Sequence, residues 1–502
     1  MANYYAGYFP GVSVKLNRST PPQLLKALLL KALFALAITV STGAFALTPS
    51  QQGRACHLPG TEEGLRCISV PVRLDHAGRA AGSLELHVTL APSFREAGKP
   101  DPLFVLAGGP GEAGSDVLTL LSRTFRRVRA TRDIVFIDQR GTGRSGKLDC
   151  EQTGAMDDMS EAAQDAALRR CLTAIKSPLS AYTTEQAARD IEQVRKQLGY
   201  RQINLWGGSY GTRLAQSYAR LYPANVRALV LDGVAAPDQI IPAGGRDGQA
   251  ALDLLFQQCA ADAACKKAYP NLPSEFAQVS ARVAAGKVKV DLPDPRTAVP
   301  ASVTIDSARF LGTVHNVLYS ALDSRRLPFL IHSAYQNRWE PFIARRNLAR
   351  DLANGAGPAL VLHLAVVCAE DVPRLTLAAQ QADSLGSFMG SERIARLGAA
   401  CRIIDVPSVP ARPPQRIGAP VLMLSGALDP VTPPRRAQDA ARYMTRPQHL
   451  IVANAGHGVS QLGCVPRLLR EFVDQPDKPL DAKCLGDIPA ANFQVGSAGP
   501  QP

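Results

Sequence analysis

"INLWGGSYGTRLA" (203–215) sets three glycines around one serine, with an apolar run before it and a helix-like run after it. Gly207-Gly208-Ser209-Tyr210-Gly211 is G-x-S-x-G at a strand-to-helix junction. In that context the serine is held at strained backbone angles with its hydroxyl exposed at the edge of a sheet. Side chains at the flanking positions of so tight a turn would collide, which accounts for the glycines. The competing reading is a Gly-rich turn with an ordinary serine. The neighbouring segments decide between them.

Working outward, "PLFVLAGG" (102–109), "RDIVFIDQ" (132–139), "INLWGG" (203–208) and "RALVLDGV" (227–234) are short continuous apolar runs separated by helix-length segments. That pattern indicates buried parallel strands. It resumes downstream with "APVLMLSG" (419–426) and "QHLIVANAG" (448–456), so one α/β sheet is interrupted once. Two alternating segments, 67–76 and 82–92, open the sheet as an antiparallel pair. The interruption is rich in helical patterns (248–268 and 324–339) and holds one hairpin, 287–306, as a cap over a site would. The expected division is a leader at 1–46, sheet core at 47–234, cap at 235–415, sheet core again at 416–486 and a flexible tail at 487–502.

A serine hydroxyl is a poor nucleophile at neutral pH; it needs a base, and the base an orienting acid. On a sheet of this kind the chain order is serine, acid, histidine. Asp429, in "LDPVTPP", and His457, in "NAGHG", follow the last two core strands and emerge at one sheet edge. The alternative for Asp429 is an aspartate that starts the next helix. His315, His332 and His363 sit on helix-like apolar patterns, where packing is the better reading. Backbone N–H donors for an oxyanion come from the residue after the nucleophile and from a loop after an earlier strand. Tyr210 supplies the first, and Gly109 in "AGGPGEAGS" (107–115) is chosen for the second.

The chain has 502 residues, 46% hydrophobic and 20% charged, which excludes disordered and fibrous classes. Its formal charge is +13, but the basic residues form no run and no nucleic-acid motif accompanies them, so no nucleic-acid partner is expected. Lys15, Arg18, Lys26 and Lys31 precede "ALFALAITVSTGAFA" (32–46), which ends in an A-x-A site. This reads as a secretory signal cleaved after Ala46, too short for a stable membrane anchor. The ten cysteines fall as five close pairs without C-x-x-C or zinc spacing, so disulfides are expected and metal is not. Proximity gives Cys56–Cys67, Cys150–Cys171, Cys259–Cys265, Cys368–Cys401 and Cys464–Cys484.

"GGPG", then "DQRGTGRS" (138–145), then "GGSYGT", then a late Asp and His, resembles the proline iminopeptidase family of serine peptidases, and its exported tripeptidyl-aminopeptidase branch most of all. The leader, the cysteines and "VVCAED" (366–371) add to that likeness, which runs over about 55–485. One departure is Ala107, where cytoplasmic members carry histidine. The resemblance implies an α/β-hydrolase fold with a helical cap, no cofactor, and exopeptidase action on peptides with a free N-terminus, in the periplasm or medium. It also points to Glu370 and Asp371 for binding the substrate amine, against the alternative of an acidic pair salt-bridged to Arg374. Asp138 and Arg140 are read as supports of the active-site loops, or as a surface turn. The competing enzyme reading is an esterase, since one triad cleaves amides and esters alike. A binding protein on a dead hydrolase scaffold would lack a triad member, and none is missing.

Overall fold

A computed structural model describes residues 52–150, 159–293, 298–352, 357–411 and 413–499. The leader and its cleavage site after Ala46 lie outside the described residues. Eleven strands lie among them: β1 (Arg54–Cys56), β2 (Leu65–Arg73), β3 (Ser83–Ala91), β4 (Leu103–Leu106), β5 (Ile134–Ile137), β6 (Ile203–Gly208), β7 (Val226–Asp232), β8 (Val288–Pro293), β9 (Pro300–Ile305), β10 (Ile417–Gly426) and β11 (Met444–Val452). The helices that matter for the site are α1 (Thr184–Gln197), α2 (Tyr210–Leu221), α3 (Gly245–Ala261), α4 (Ser307–Leu318), α5 (Leu360–Glu370), α6 (Glu392–Ile404), α7 (Pro434–Ala441) and α8 (Val465–Asp474).

Nine strands form one sheet in the order β1-β2-β3-β5-β4-β6-β7-β10-β11. Pairing is antiparallel from β1 through β3 to β5 and parallel from β5 to β11. The opening strands alternate because one of their faces meets water, whereas β4 and β5 are buried throughout. Side chains along each parallel strand point alternately to two cores. Phe104, Leu106, Leu205, Leu229, Val421 and Met423 pack under α1 and α2, against Ile191, Val194, Leu214 and Tyr218. Leu103, Val105, Trp206, Val230, Leu422 and Leu424 face the other way, toward Phe125 and the Leu469 and Phe472 of α8.

The chain between β7 and β10 is mainly helical and builds a core of its own from Leu252, Leu255, Phe276, Phe310, Trp339 and Phe342. The expected hairpin is β8–β9, with Val288 opposite Ile305. Within the C-terminal stretch expected to be a flexible tail, Phe493 and Gln494 make contacts with the cap. Phe493 enters this same core and lies under the Arg325 guanidinium, 4.3 Å away. Gln494 accepts from the Tyr269 hydroxyl at 3.0 Å and donates to the Arg325 carbonyl at 3.0 Å. A single aromatic without periodicity around it gives no sequence signal for such docking.

The ten cysteines are joined as Cys56–Cys67, Cys150–Cys171, Cys259–Cys265, Cys368–Cys401 and Cys464–Cys484. Among the described residues no helix is long and apolar enough to cross a membrane.

Candidate active site

Ser209 sits between β6 and α2 at φ 53° and ψ −122°, a positive-φ region that a residue with a Cβ rarely adopts. The glycines around it are needed for space. A Cβ on Gly207 would lie 2.4 Å from the Gly211 carbonyl oxygen, and one on Gly211 would lie 2.1 Å from that of Leu106. The Ser209 N–H donates to the Asp232 carbonyl at 2.9 Å, and its own carbonyl accepts from the Thr212 N–H at 2.9 Å and the Thr212 hydroxyl at 2.6 Å. The turn is thereby fixed to the end of β7 on one side and to the first turn of α2 on the other.

His457 and Asp429 come from the loops after β11 and β10. Asp429 Oδ2 is 2.8 Å from His457 Nδ1. The rest of the carboxylate is filled by the N–H groups of Val431 and Thr432, both at 2.9 Å, and by the Thr432 hydroxyl at 2.7 Å. Burial alone would raise Asp429, but the imidazole and these donors outweigh it and hold its carboxyl below the ordinary value. Burial alone would lower His457; the Asp429 charge and hydrogen bond reverse this and leave the imidazole raised. His457 also reaches across to the helical segment, where its N–H donates to the Tyr319 carbonyl at 2.8 Å, beyond the end of α4. A Cβ on Gly233 would lie 3.0 Å from the ring, which places the imidazole against the strand end to which Ser209 is tied.

Sequence reading missed two members of this neighbourhood. Asp232 is buried and accepts from the Val459 and Ser460 N–H groups at 2.8–3.0 Å, anchoring the histidine loop. The Trp206 indole N–H donates to the Ser460 hydroxyl at 2.9 Å and closes the same loop from β6. Asp232 had a signal in the sequence, an acid at the end of a core strand. Glu112 is the other. It lies in the loop after β4, and its Oε2 accepts the Gly108 N–H at 2.9 Å.

That loop also carries Gly109, the expected second donor. A Cβ on Gly108 would lie 3.0 Å from Ser209 Cβ, whereas the nearest neighbours of one on Gly109 would be Gly111 and Glu112 backbone. Gly109 has φ +105°, and the N–H of Gly108 before it is taken by Glu112. Tyr210 begins α2 beside Ser209, where the first turn of a helix directs N–H groups outward. His363 of α5 braces the loop through a 3.2 Å contact between Nδ1 and the Pro110 carbonyl. His315 packs against Tyr319 and is pushed down to about 3 by burial, and His332 pairs with Glu275 at 2.9 Å. Asp138 accepts from the Ser115 N–H at 2.7 Å and the Arg144 N–H at 2.9 Å, and Arg140 pairs with Asp190 at 2.6 Å, so both tie loops together.

The acidic pair at the end of α5 is not free. Asp371 is fully buried and spends its oxygens on Arg213 at 3.0 Å, Arg374 at 2.7 Å and the Ile241 N–H at 3.2 Å. The salt bridge to Arg374, the alternative to amine binding, is formed. Glu370 accepts the N–H and the hydroxyl of Thr184, both at 2.6 Å, at the start of α1. It reaches the serine turn only through Thr184 and the Tyr210 hydroxyl, 2.8 Å from each other.

The family described as alpha/beta hydrolase fold matches residues 101–265, and the one described as TAP-like protein matches residues 387–484. The chain is an α/β hydrolase. It is similar to named serine proteases, tripeptidyl aminopeptidases and proline iminopeptidases. This α/β hydrolase is 26% identical over 428 residues to the serine protease Hip1 of Mycobacterium tuberculosis, covering 76% of this chain and 80% of that one. It is 27% identical over 194 residues to the tripeptidyl aminopeptidase of Streptomyces coelicolor, covering 35% of this chain and 36% of that one. Against the proline iminopeptidase of Neisseria gonorrhoeae it is 33% identical over 143 residues, 28% of this chain and 36% of that one. With these last two relatives the alignment spans about a third of their length.

Proposed function

We propose that this α/β hydrolase is an exported serine aminopeptidase acting on peptides with a free N-terminus. Ser209 Oγ attacks the scissile carbonyl while His457 Nε2 takes its proton. Asp429 holds the imidazole in the tautomer that makes this possible and stabilises the imidazolium that forms. The N–H groups of Tyr210 and of Gly109 stabilise the oxyanion. Collapse of the intermediate breaks the C–N bond, the imidazolium protonates the leaving amine, and water then releases the acyl group by the same steps.

The observation that carries this reading is the positive-φ Ser209 fixed to the end of β7, with the Asp429-bound imidazole packed against that strand end. The named relatives support a peptide substrate, and the five disulfides and the basic-apolar leader support export. A fluorophosphonate should label the wild type stoichiometrically and leave Ser209→Ala unlabelled. Chromogenic mono-, di- and tripeptides should be cleaved with a free N-terminus and resist cleavage when acetylated. Labelling at another serine, or equal rates on acetylated peptides and small esters, would replace this reading with a different hydrolase.

A further inference from the structure

The helical segment between β7 and β10 and the C-terminal stretch enclose a cavity of about 480 Å³, lined by Arg325, Arg326 and Arg345 and by Asn492 and Gln494. Sites for small ligands run to roughly 300–1,000 Å³. None of the lining residues belongs to the serine turn, the histidine loop or the loop after β4. Leu322, Phe329, Leu330, Pro341 and Ala344 give the cavity an apolar wall, and Leu322 is largely exposed.

Arg325 is the unusual member. It is 4% exposed, yet among the described residues no carboxylate forms an ion pair with it and its Nε has no hydrogen-bond partner. The Phe493 ring lies 4.3 Å from the guanidinium and covers its face, which leaves the N–H groups at its edge as donors. Burial draws the guanidinium below its ordinary value. Asp262 acts against this, but its Oδ1 is already the acceptor of the Cys265 N–H at 2.8 Å. The other two arginines are placed differently. Arg345 Nε donates to Asp323 Oδ2 at 2.7 Å, and Arg326 lies 3.5 Å from the same carboxylate with about half of its side chain in water.

A buried cation without an anion is costly, and an anion that enters beside it removes that cost. One desolvated, uncompensated guanidinium calls for one negative charge. Its fork of N–H groups fits the two oxygens of a carboxylate. The apolar wall calls for an apolar body attached to that carboxylate. We propose that this cavity binds a monocarboxylate with an apolar body, its carboxylate on the edge of the Arg325 guanidinium and its body along Phe329, Leu330 and Pro341. Two sources share that chemistry: a free aliphatic or aromatic acid, and the C-terminus of an apolar peptide. The site is separate from the hydrolytic centre and binds its ligand whether or not Ser209 is the nucleophile.

The test is titration calorimetry on Ser209→Ala protein, which cannot turn peptides over, with Arg325→Gln or Ala344→Trp added. Ala344→Trp narrows the cavity and leaves Arg325 in place. The probes are 4-phenylbutyrate, N-acetyl-dileucine, the amide of each, and phenyl phosphate. At least one acid should bind with a Kd of about 1 mM or less, and its amide at least tenfold more weakly. Each added substitution should weaken that acid at least tenfold, and the acid that binds more tightly identifies the source. Circular dichroism checks that each variant is folded; if Arg325→Gln is not, Ala344→Trp and the ratio of acid to amide decide. Absence of binding by both acids overturns the proposal, as does an amide that equals its acid. Phenyl phosphate bound more tightly than both acids overturns the carboxylate class. Acid binding unchanged in either folded variant places the ligand elsewhere, the hydrolytic centre included, and overturns the site.

Discussion

At Ser209 the chain keeps a backbone conformation that costs on the order of 1–3 kcal/mol, and tertiary hydrogen bonds to Asp232 and Thr212 hold it there. His457 shows the same dependence on neighbours. Burial would push its imidazole down from 6.5, and the Asp429 charge brings it back and above. Neutral imidazole is the base, so kcat/KM should be level at alkaline pH and fall as pH drops through a midpoint above 6.5. Replacing Asp429 by Asn leaves burial as the dominant influence, which should move that midpoint below 6.5 while turnover falls by about 10⁴-fold. A pH profile of kcat/KM for both proteins checks this; an unmoved midpoint would separate Asp429 from the imidazole. Ser209, Asp429 and His457 were legible in the sequence because each follows a core strand in a fixed order. Glu112 was not, since its meaning depends on how the loop after β4 folds back on its own Gly108.

Between elements, the buried Arg213 of α2 meets Asp371 at the end of α5, so one ion pair ties the serine-bearing helix to the segment between β7 and β10. Removing one charge leaves the other uncompensated, so Asp371→Asn should lower stability by about 3–5 kcal/mol in denaturant unfolding. KM for free-amine peptides should move far less than the unfolding midpoint. A raised KM at unchanged stability would return Asp371 to the substrate site. The sequence could not separate these roles, because Glu370-Asp371 and Arg374 show proximity along the chain, while Arg213 lies 158 residues away. The parallel strands β4 to β7 were legible for the opposite reason. A strand buried on both faces must be apolar along its length, and that is a local property. Docking of Phe493 is a long-range event and left no local mark.

On the scale of the whole molecule, export predicts a mature protein that begins at Leu47 and carries no free thiol. N-terminal sequencing of secreted or periplasmic material, with non-reducing peptide mapping of the five bridges, checks both. A full-length cytoplasmic product or a bridge across pairs would contradict them. Each short closed loop stabilises by roughly 2–4 kcal/mol when unstrained. The pairs follow one another without interleaving, at separations of 11, 21, 6, 33 and 20 residues. A chain threaded outward amino end first therefore presents both members of each pair before the next cysteine emerges. An oxidant that joins thiols in order of emergence writes the native set directly, and no early thiol has to wait for a distant partner or be rescued from a wrong one.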